Sequence, residues 1–340
     1  MPESSEAHPD LSGFPALARS RHFSLEAVRG IGTALEHSFG GECGSVLTVA
    51  AAGSLGRLEA SERSDVDCIV VVDDDSVGFD PRRLERGMEQ VIREFPRFGV
   101  RAPKADGIYG KPVKVSALLD EAGRGSLEEP ASVFGSRMQL LLDARPLWRS
   151  EQFVSLRERI IRWYAPDPVA AEGWTHLVND LSRYLHAYAV WQQFKFSRSD
   201  DDGWYLRQAK LRTTRVATFA GLMFLLGESS RRNDSRAWLL AELDRTPLSR
   251  LQKAFDAYPE SDFGAVIELY ELLHRMLSDT AVRAELVRSS PPNSAAVPAC
   301  HAGVYARIHE LSEILMERLT QFALSRQNDW SPLTFRNWLF

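Results

Sequence analysis

The sequence predicts an α+β protein in two parts: a small mixed sheet with flanking helices over residues 21–150, then an all-α helical domain over 151–340. Three observations predict it. The β-branched run Cys68-Ile69-Val70-Val71-Val72 reads as a buried strand, and the apolar stretch 45–51 ahead of Gly53 reads as another. Beyond Pro146 the character changes, and apolar residues recur at helical spacing from 150 to 322. A chain of 340 residues has room for two domains of roughly 100–200 residues each.

The elements follow in order. Residues 1–20 are expected to be a disordered leader, because the first twelve are polar and acidic and lack the apolar core of a signal peptide. Leu25, Val28, Ile31 and Leu35 predict a helix over 24–39, capped by Ser24 and stopped by Gly40-Gly41. A strand over 45–51 feeds the Gly53-Ser54 turn, a short helical turn takes in 55–59, and the next strand spans 65–72. The pattern over 81–95 is an amphipathic helix with Pro81 at its first position. The Gly- and Pro-rich region 98–130 contains one apolar segment, 113–119, that fits either a strand or a short helix. Met138-Gln139-Leu140-Leu141-Leu142 is an apolar run ending in the charged pair Asp143 and Arg145. In the helical half, Trp174, Leu177, Leu181, Tyr184 and Leu185 fit one packed face. Breaks fall near 166–168, 199–203, 227–234, Pro247, Pro259 and the linker 289–298.

Composition excludes several classes. No apolar run reaches the roughly 18 residues that a membrane helix needs, and the greasiest stretch, 217–226, is too short. The three cysteines, Cys43, Cys68 and Cys300, are odd in number and lack metal-site spacing, which predicts a reducing cytoplasm. The eight histidines show no zinc-ligand spacing either. A net charge of −5 argues against binding long nucleic acid by charge neutralisation, yet it leaves room for a nucleotide whose phosphates are met locally. The acidic run Asp73-Asp74-Asp75 follows a strand and reads as a solvated loop.

The chemistry concentrates between residues 53 and 67. Asp65 and Asp67 alternate at the head of a strand, so both carboxylates leave on one face and can hold a divalent cation. Just upstream, Gly53, Ser54 and Gly56 offer backbone N–H groups and a hydroxyl suited to phosphate. No Gly-Lys-Ser/Thr follows, so this is not a Walker loop. Further on, Trp204, Tyr205, Arg207, Lys210, Arg212 and Arg215 mix aromatics with a basic stripe. That stripe fits a cleft lining for phosphates or an anionic acceptor, and fits a solvated face paired with acids at 200–202 equally well.

Gly53-Ser54, Arg57, then Ser64-Asp65-Val66-Asp67 before an apolar strand resembles the polymerase-β-type nucleotidyltransferase superfamily. The segment 53–67 is similar to the amino-terminal domains of the uridylyltransferases that modify PII signal proteins. It is also similar to bacterial proteins described as nucleotidyltransferases with a helical substrate-binding domain. The resemblance covers the first half of the chain and implies a polymerase-β-like nucleotidyltransferase domain ahead of the helical one. It implies transfer of a nucleoside monophosphate from an NTP to a hydroxyl, with release of pyrophosphate. Mg²⁺ or Mn²⁺ would be held by Asp65, Asp67 and a third acid. Leu142-Asp143-Ala144-Arg145 resembles the family's later catalytic strand, which makes Asp143 the third ligand, ahead of Asp106, Asp120 and Glu128. Gly53, Ser54, Arg57, Arg207 and Lys210 would bind the nucleotide. The acceptor is a protein side chain, a small molecule or an RNA end, and 340 residues leave no room for the extra domains of the PII-modifying enzymes. The alternative function is a catalytically weak nucleotide-binding regulatory or antitoxin-like module of the same fold. Structural readings of the same residues stay open: Asp65 and Asp67 as strand-entry turn residues, Asp143 with Arg145 as an ion pair, and Arg57 paired at the surface with Glu59 or Glu62.

Overall fold

The two apolar runs that mark strands in the sequence pair antiparallel. β1 (Val46–Ala52) and β2 (Asp67–Val72) align Ala52 with Asp67 and Val49 with Val70. The computed structural model describes residues 10–40, 45–73, 81–103, 111–195, 203–288 and 303–339. Cys43, Cys300, Asp74, Asp75, Asp106, the acids at 200–202 and the segment 289–298 lie outside them. β3 (Val113–Lys114) runs parallel to β2, and β4 (Arg145–Trp148) runs antiparallel to β1, giving the order β3-β2-β1-β4. The protein is α+β, mostly helical, with this small mixed sheet among the described residues.

Side chains alternate between two packed layers. Val49, Ala51, Cys68 and Val70 join a core with α1 (Pro15–Phe39) and α3 (Pro81–Glu94). Ala50, Ala52, Ile69 and Val71 join the opposite core with α5 (Ala131–Leu142) and α6 (Ser150–Tyr164). Both faces are covered, so the strands read as unbroken apolar runs. Between the strands lie two single-turn helices, α2 (Gly53–Gly56) after β1 and α4 (Val115–Leu118) after β3. The ambiguous segment 113–119 is thus a strand and a helix in succession.

Three local expectations are corrected. α1 starts at Pro15 rather than at residue 24, so the supposed leader is helical from there on. Its first turn is held by Glu271, which accepts from the N–H groups of Ala16 (2.8 Å) and Leu17 (2.9 Å). Ser24 is therefore not a cap: its hydroxyl donates to the Ser20 carbonyl and accepts from the Ala60 N–H. Residues 138–142 are the end of helix α5 and not a strand, so Asp143 sits at a helix–strand junction. A short apolar run buried on all sides has no periodicity by which to tell the two apart.

The helical half continues with α7 (Pro168–Gly173), α8 (Thr175–Lys195), α9 (Trp204–Lys210) and a π turn at Leu211–Arg215. Then come α10 (Val216–Ser230), α11 (Ser235–Glu242), α12 (Pro247–Phe255), α13 (Phe263–Ser278), α14 (Thr280–Arg288), α15 (Val304–Ser325) and α16 (Pro332–Leu339). Starts are set by local chemistry: Thr246 caps α12 just ahead of Pro247, and Asp262 caps α13 through the Ala265 N–H. The apolar stretch 217–226 forms α10, which packs on α5, α8, α11, α12, α15 and α16. Among the described residues no helix is long and apolar enough to cross a membrane. Packing does not respect a boundary at residue 150, because Ala50, Ile69 and Val71 share one core with Phe153, Leu177 and Leu226.

The carboxyl end of α5 is the meeting point of the two halves. Its last carbonyls cannot find partners within the helix. Arg157 from α6 donates to the Leu140 carbonyl (2.7 Å), and Arg250 from α12 donates to those of Leu141 (3.0 Å) and Leu142 (2.6 Å). Burial pushes Arg157 down to about 10 and Arg250 down to about 9, so both stay charged at neutral pH. Replacing Arg250 with Met strips the Leu141, Leu142 and Leu243 carbonyls of this buried donor. The variant is expected to lose about 3 kcal/mol or more of stability, read from urea or thermal unfolding.

A second contact between the halves titrates. His274 on α13 is buried against α1, its Nε2 2.9 Å from the Ser20 hydroxyl. Burial, reinforced by Arg57 and opposed by Glu59 and Glu271, lowers its pKa below 6.5. The unfolded chain therefore takes up this proton first as pH falls, and stability declines below the unfolded value. Unfolding measured between about pH 7 and pH 5 should show that decline, and His274→Gln should flatten it.

Candidate active site

The β1–α2–β2 connection builds the site. Gly53 has φ +68°, a left-handed conformation that glycine adopts without strain, and a Cβ there would lie 2.8 Å from Asp67 Oδ2. The Asp67 carboxylate thus rests directly on the turn. At the other end of α2, a Cβ on Gly56 would lie 2.1 Å from the Asp143 carbonyl oxygen. Both glycines are needed for close approach. The first N–H groups of such a turn have no partner within it, and Ser54 is half-exposed beside them.

Asp65, Val66 and Asp67 follow the alternation expected of an extended segment. Val66 is fully buried, while both aspartates are half-exposed. A bridge to Arg101 extends the chain at Asp65: the Val66 N–H donates to the Arg101 carbonyl, and the Arg101 N–H to that of Ser64. Arg283 on α14 lies near enough to feel these charges. Burial together with Arg63 and Arg101 lowers its pKa, and Asp65 opposes the shift. Arg63, Arg101 and Asp65 are therefore all within electrostatic reach of Arg283. Cys68, one residue on, is buried, and burial with Asp67 beside it pushes the thiol up to about 12.

Asp143 and Arg57 pair with each other, a contact the sequence reading does not contain. Arg57 Nη1 donates to Asp143 Oδ2 at 2.7 Å, with both side chains buried. Arg57 Nε donates to Glu59 Oε2 at 2.7 Å, and the Tyr270 hydroxyl of α13 donates to Glu59 Oε1 at 2.6 Å. Burial alone would lower the Arg57 pKa, but Glu59 and Asp143 outweigh it and hold it above its ordinary value. The pairing of Arg57 with Glu59 is real, but it is interior rather than on the surface. Asp143 Oδ1 is buried and has no hydrogen-bond donor among the described residues.

The Asp143 carboxylate is thus engaged by guanidinium groups, while Asp65 and Asp67 lie half-exposed at the head of β2. Among the described residues, no group of three or more His, Cys, Asp or Glu side chains could hold an ion together. Of the rival acids, Asp120 caps a short turn through the Ala122 N–H, Glu128 is exposed, and Asp106 lies outside the described residues. The basic stripe is split by the π turn. Arg207 and Lys210 lie on α9, which packs on α14 and α15, and Arg212 pairs with Glu313. Arg215 instead reaches Asp143 Oδ2 at 3.4 Å. Sequence reasoning grouped Arg215 with the stripe but missed its contact with Asp143. It also missed Tyr270 and the buried pair Arg157 and Arg250, which no motif marks. A cleft of about 420 Å³ in the helical half is lined by Asp167, Glu172, Arg232 and Asn233, and by none of the predicted site residues.

No protein-family model matches this chain, and comparison with curated proteins finds no relative.

If Asp143 serves chiefly as the counter-charge to Arg57, its loss should appear in stability. Asp143→Asn is expected to cost about 3 kcal/mol, because it leaves a buried guanidinium short of one charge. Asp65→Asn and Asp67→Asn, at half-exposed positions, should each change stability by less than about 1 kcal/mol in the same unfolding assay.

Proposed function

We propose that the protein is a Mg²⁺-dependent nucleotidyltransferase of the polymerase-β-like type, moving a nucleoside monophosphate from an NTP to a hydroxyl acceptor. The observation that carries this reading is the Asp67 carboxylate seated on the left-handed Gly53 turn, with Asp65 beside it at the head of β2. Oxygen donors of this kind suit a hard cation. Mg²⁺ is commonly held by one or two carboxylates together with substrate phosphates and water, so Asp65 and Asp67 fit a metal carried in with the triphosphate. Mn²⁺ has the same ligand preference. When bound, the ion supplies charge neutralisation on the triphosphate and lowers the acceptor hydroxyl's pKa.

The chain's own residues do the rest. Ser54 and the α2 N–H groups hold the β- and γ-phosphates, and the guanidinium groups of Arg63, Arg101 and Arg283 draw an anionic substrate to the Asp65 end. The acceptor oxygen forms a bond to the α-phosphorus while the bond to the β-phosphate oxygen breaks. Pyrophosphate leaves, and the hydroxyl proton passes to solvent. Arg57 acts as a strut under the turn rather than as a phosphate ligand. The acceptor is a protein side chain, a small molecule or an RNA end.

A second reading, a nucleotide-binding regulatory module with little turnover, is favoured by one observation: Asp143 is engaged by Arg57 and Arg215 instead of completing a metal site. One experiment separates the two. The protein is supplied with each labelled NTP, Mg²⁺ and cell lysate, and both label transfer and pyrophosphate release are followed. Transferase activity predicts labelled product that falls at least about a hundredfold in Asp65→Ala/Asp67→Ala. NTP binding without release in any condition would instead establish the module.

A further inference from the structure

The α2 turn is closed by the residues that follow it. The Gly53 carbonyl accepts from the Arg57 N–H (3.0 Å), and the Ser54 carbonyl accepts from the Glu59 N–H (2.8 Å). In a trans peptide the C=O and the next N–H point in opposite directions. Holding these two carbonyls toward 57–59 therefore aims the Ser54 and Leu55 N–H groups the other way. Between the two donors, buried Leu58 has φ +63°, a left-handed conformation that is costly for a residue with a Cβ. Such a conformation persists only where the surroundings over-determine it, and it recurs at functional sites.

The surroundings in question reach the turn from α1 and α13. The Ala60 N–H donates to the Ser24 hydroxyl of α1 at 2.9 Å. The Glu59 side chain is 7% exposed, and its two oxygens accept from Arg57 Nε at 2.7 Å and from the Tyr270 hydroxyl at 2.6 Å. Tyr270 is itself buried on α13, a helix tied to α1 through Glu271 and His274. An unbroken series of hydrogen bonds thus runs from Tyr270 through Glu59 to the Ser54 peptide.

Resting on the nucleotide reading above, we infer that Tyr270 is a positioning residue for that site: its bond to Glu59 fixes the path of 57–59 and so aims the Ser54 and Leu55 N–H groups at the phosphates. Tyr270 touches neither nucleotide nor metal. Without its hydroxyl, a buried carboxylate oxygen loses its donor, and Glu59 is free to leave the strained path. The turn then spends part of its time with those N–H groups turned away, and apparent affinity falls by that fraction. The contacts end at the phosphate-holding turn, so the effect falls on the triphosphate of any NTP.

The test uses the full chain with Mg²⁺ and two probes, the NTP that binds most tightly and inorganic tripolyphosphate. Calorimetry is run well below the unfolding temperature of each variant. Tyr270→Phe should weaken both probes about five- to tenfold. Glu59→Gln, whose amide cannot accept from both donors, should do the same and carries the test if Tyr270→Phe does not fold. The control is Tyr258→Phe, which deletes a matching bond from Tyr258 to buried Glu228 at 2.6 Å, a carboxylate otherwise held by Arg231 and Trp330. It should bind both probes as the parent does, whereas a general loss of stability would act alike in both tyrosine variants. Unchanged affinity in either folded variant, or an equal loss in the control, overturns the positioning role and leaves the nucleotide reading standing. Failure of the parent protein to bind either probe overturns the nucleotide reading itself, and the positioning role with it.

Discussion

The structure depends on a negative charge placed where a helix least tolerates one. Asp143 follows the last residue of α5, where the helix dipole already concentrates partial negative charge on the terminal carbonyls. Burying a carboxylate there is tenable only if positive groups surround it. Four arginines do so. Arg57 and Arg215 contact the carboxylate, and Arg157 and Arg250 take the Leu140, Leu141 and Leu142 carbonyls. They come from four separate places in the chain: the segment after β1, the π turn, α6 and α12. One electrostatic requirement thus brings the sheet and the helical half into a single body.

A second link runs through the same arginine. Arg57 binds Glu59, Glu59 accepts from Tyr270 on α13, and α13 also carries Glu271, which holds the first turn of α1. Burial and the neighbouring Glu59 carboxylate keep the Tyr270 hydroxyl protonated far above neutral pH, so this donor is not lost in ordinary conditions. The α2 turn is consequently fixed at both ends. Asp67 lies against Gly53, and the Asp143 backbone lies against Gly56, with no room for a side chain at either contact. A turn held in this way presents its N–H groups in one arrangement, which is what preorganised anion binding requires.

Much of this was legible in the sequence, for reasons that differ by element. β2 and the alternation of Asp65 and Asp67 were readable because a β-branched run after a turn has few other solutions. The helix at 81–94 was readable because its one apolar stripe and Pro81 agree. Asp143 was misplaced on a strand because Leu140, Leu141 and Leu142 are all buried, which erases periodicity. Ser24 was misread as a cap because a serine that back-bonds within a helix looks the same in sequence as one that begins it. The basic stripe diverges from its helical-spacing grouping for a subtler reason. Helical spacing assumes 3.6 residues per turn, and the π turn adds a residue that sends Arg212 to Glu313 and Arg215 to Asp143. Arg157 and Arg250 leave no local signal at all, since their partners, mostly backbone carbonyls, lie up to 109 positions away.

The same electrostatics bears on what kind of metal site the protein can have. A carboxylate already shared by two guanidinium groups is a poor ligand, because a cation would have to displace or repel them. Asp143 is in that position, whereas Asp65 and Asp67 are half-exposed at the head of β2. Two carboxylates alone bind Mg²⁺ weakly, since the ion gives up its water reluctantly and wants six oxygens. A triphosphate lying on the α2 turn would bring the missing oxygens with it. On the proposed reading, metal and nucleotide therefore bind as a unit, each completing the other's site.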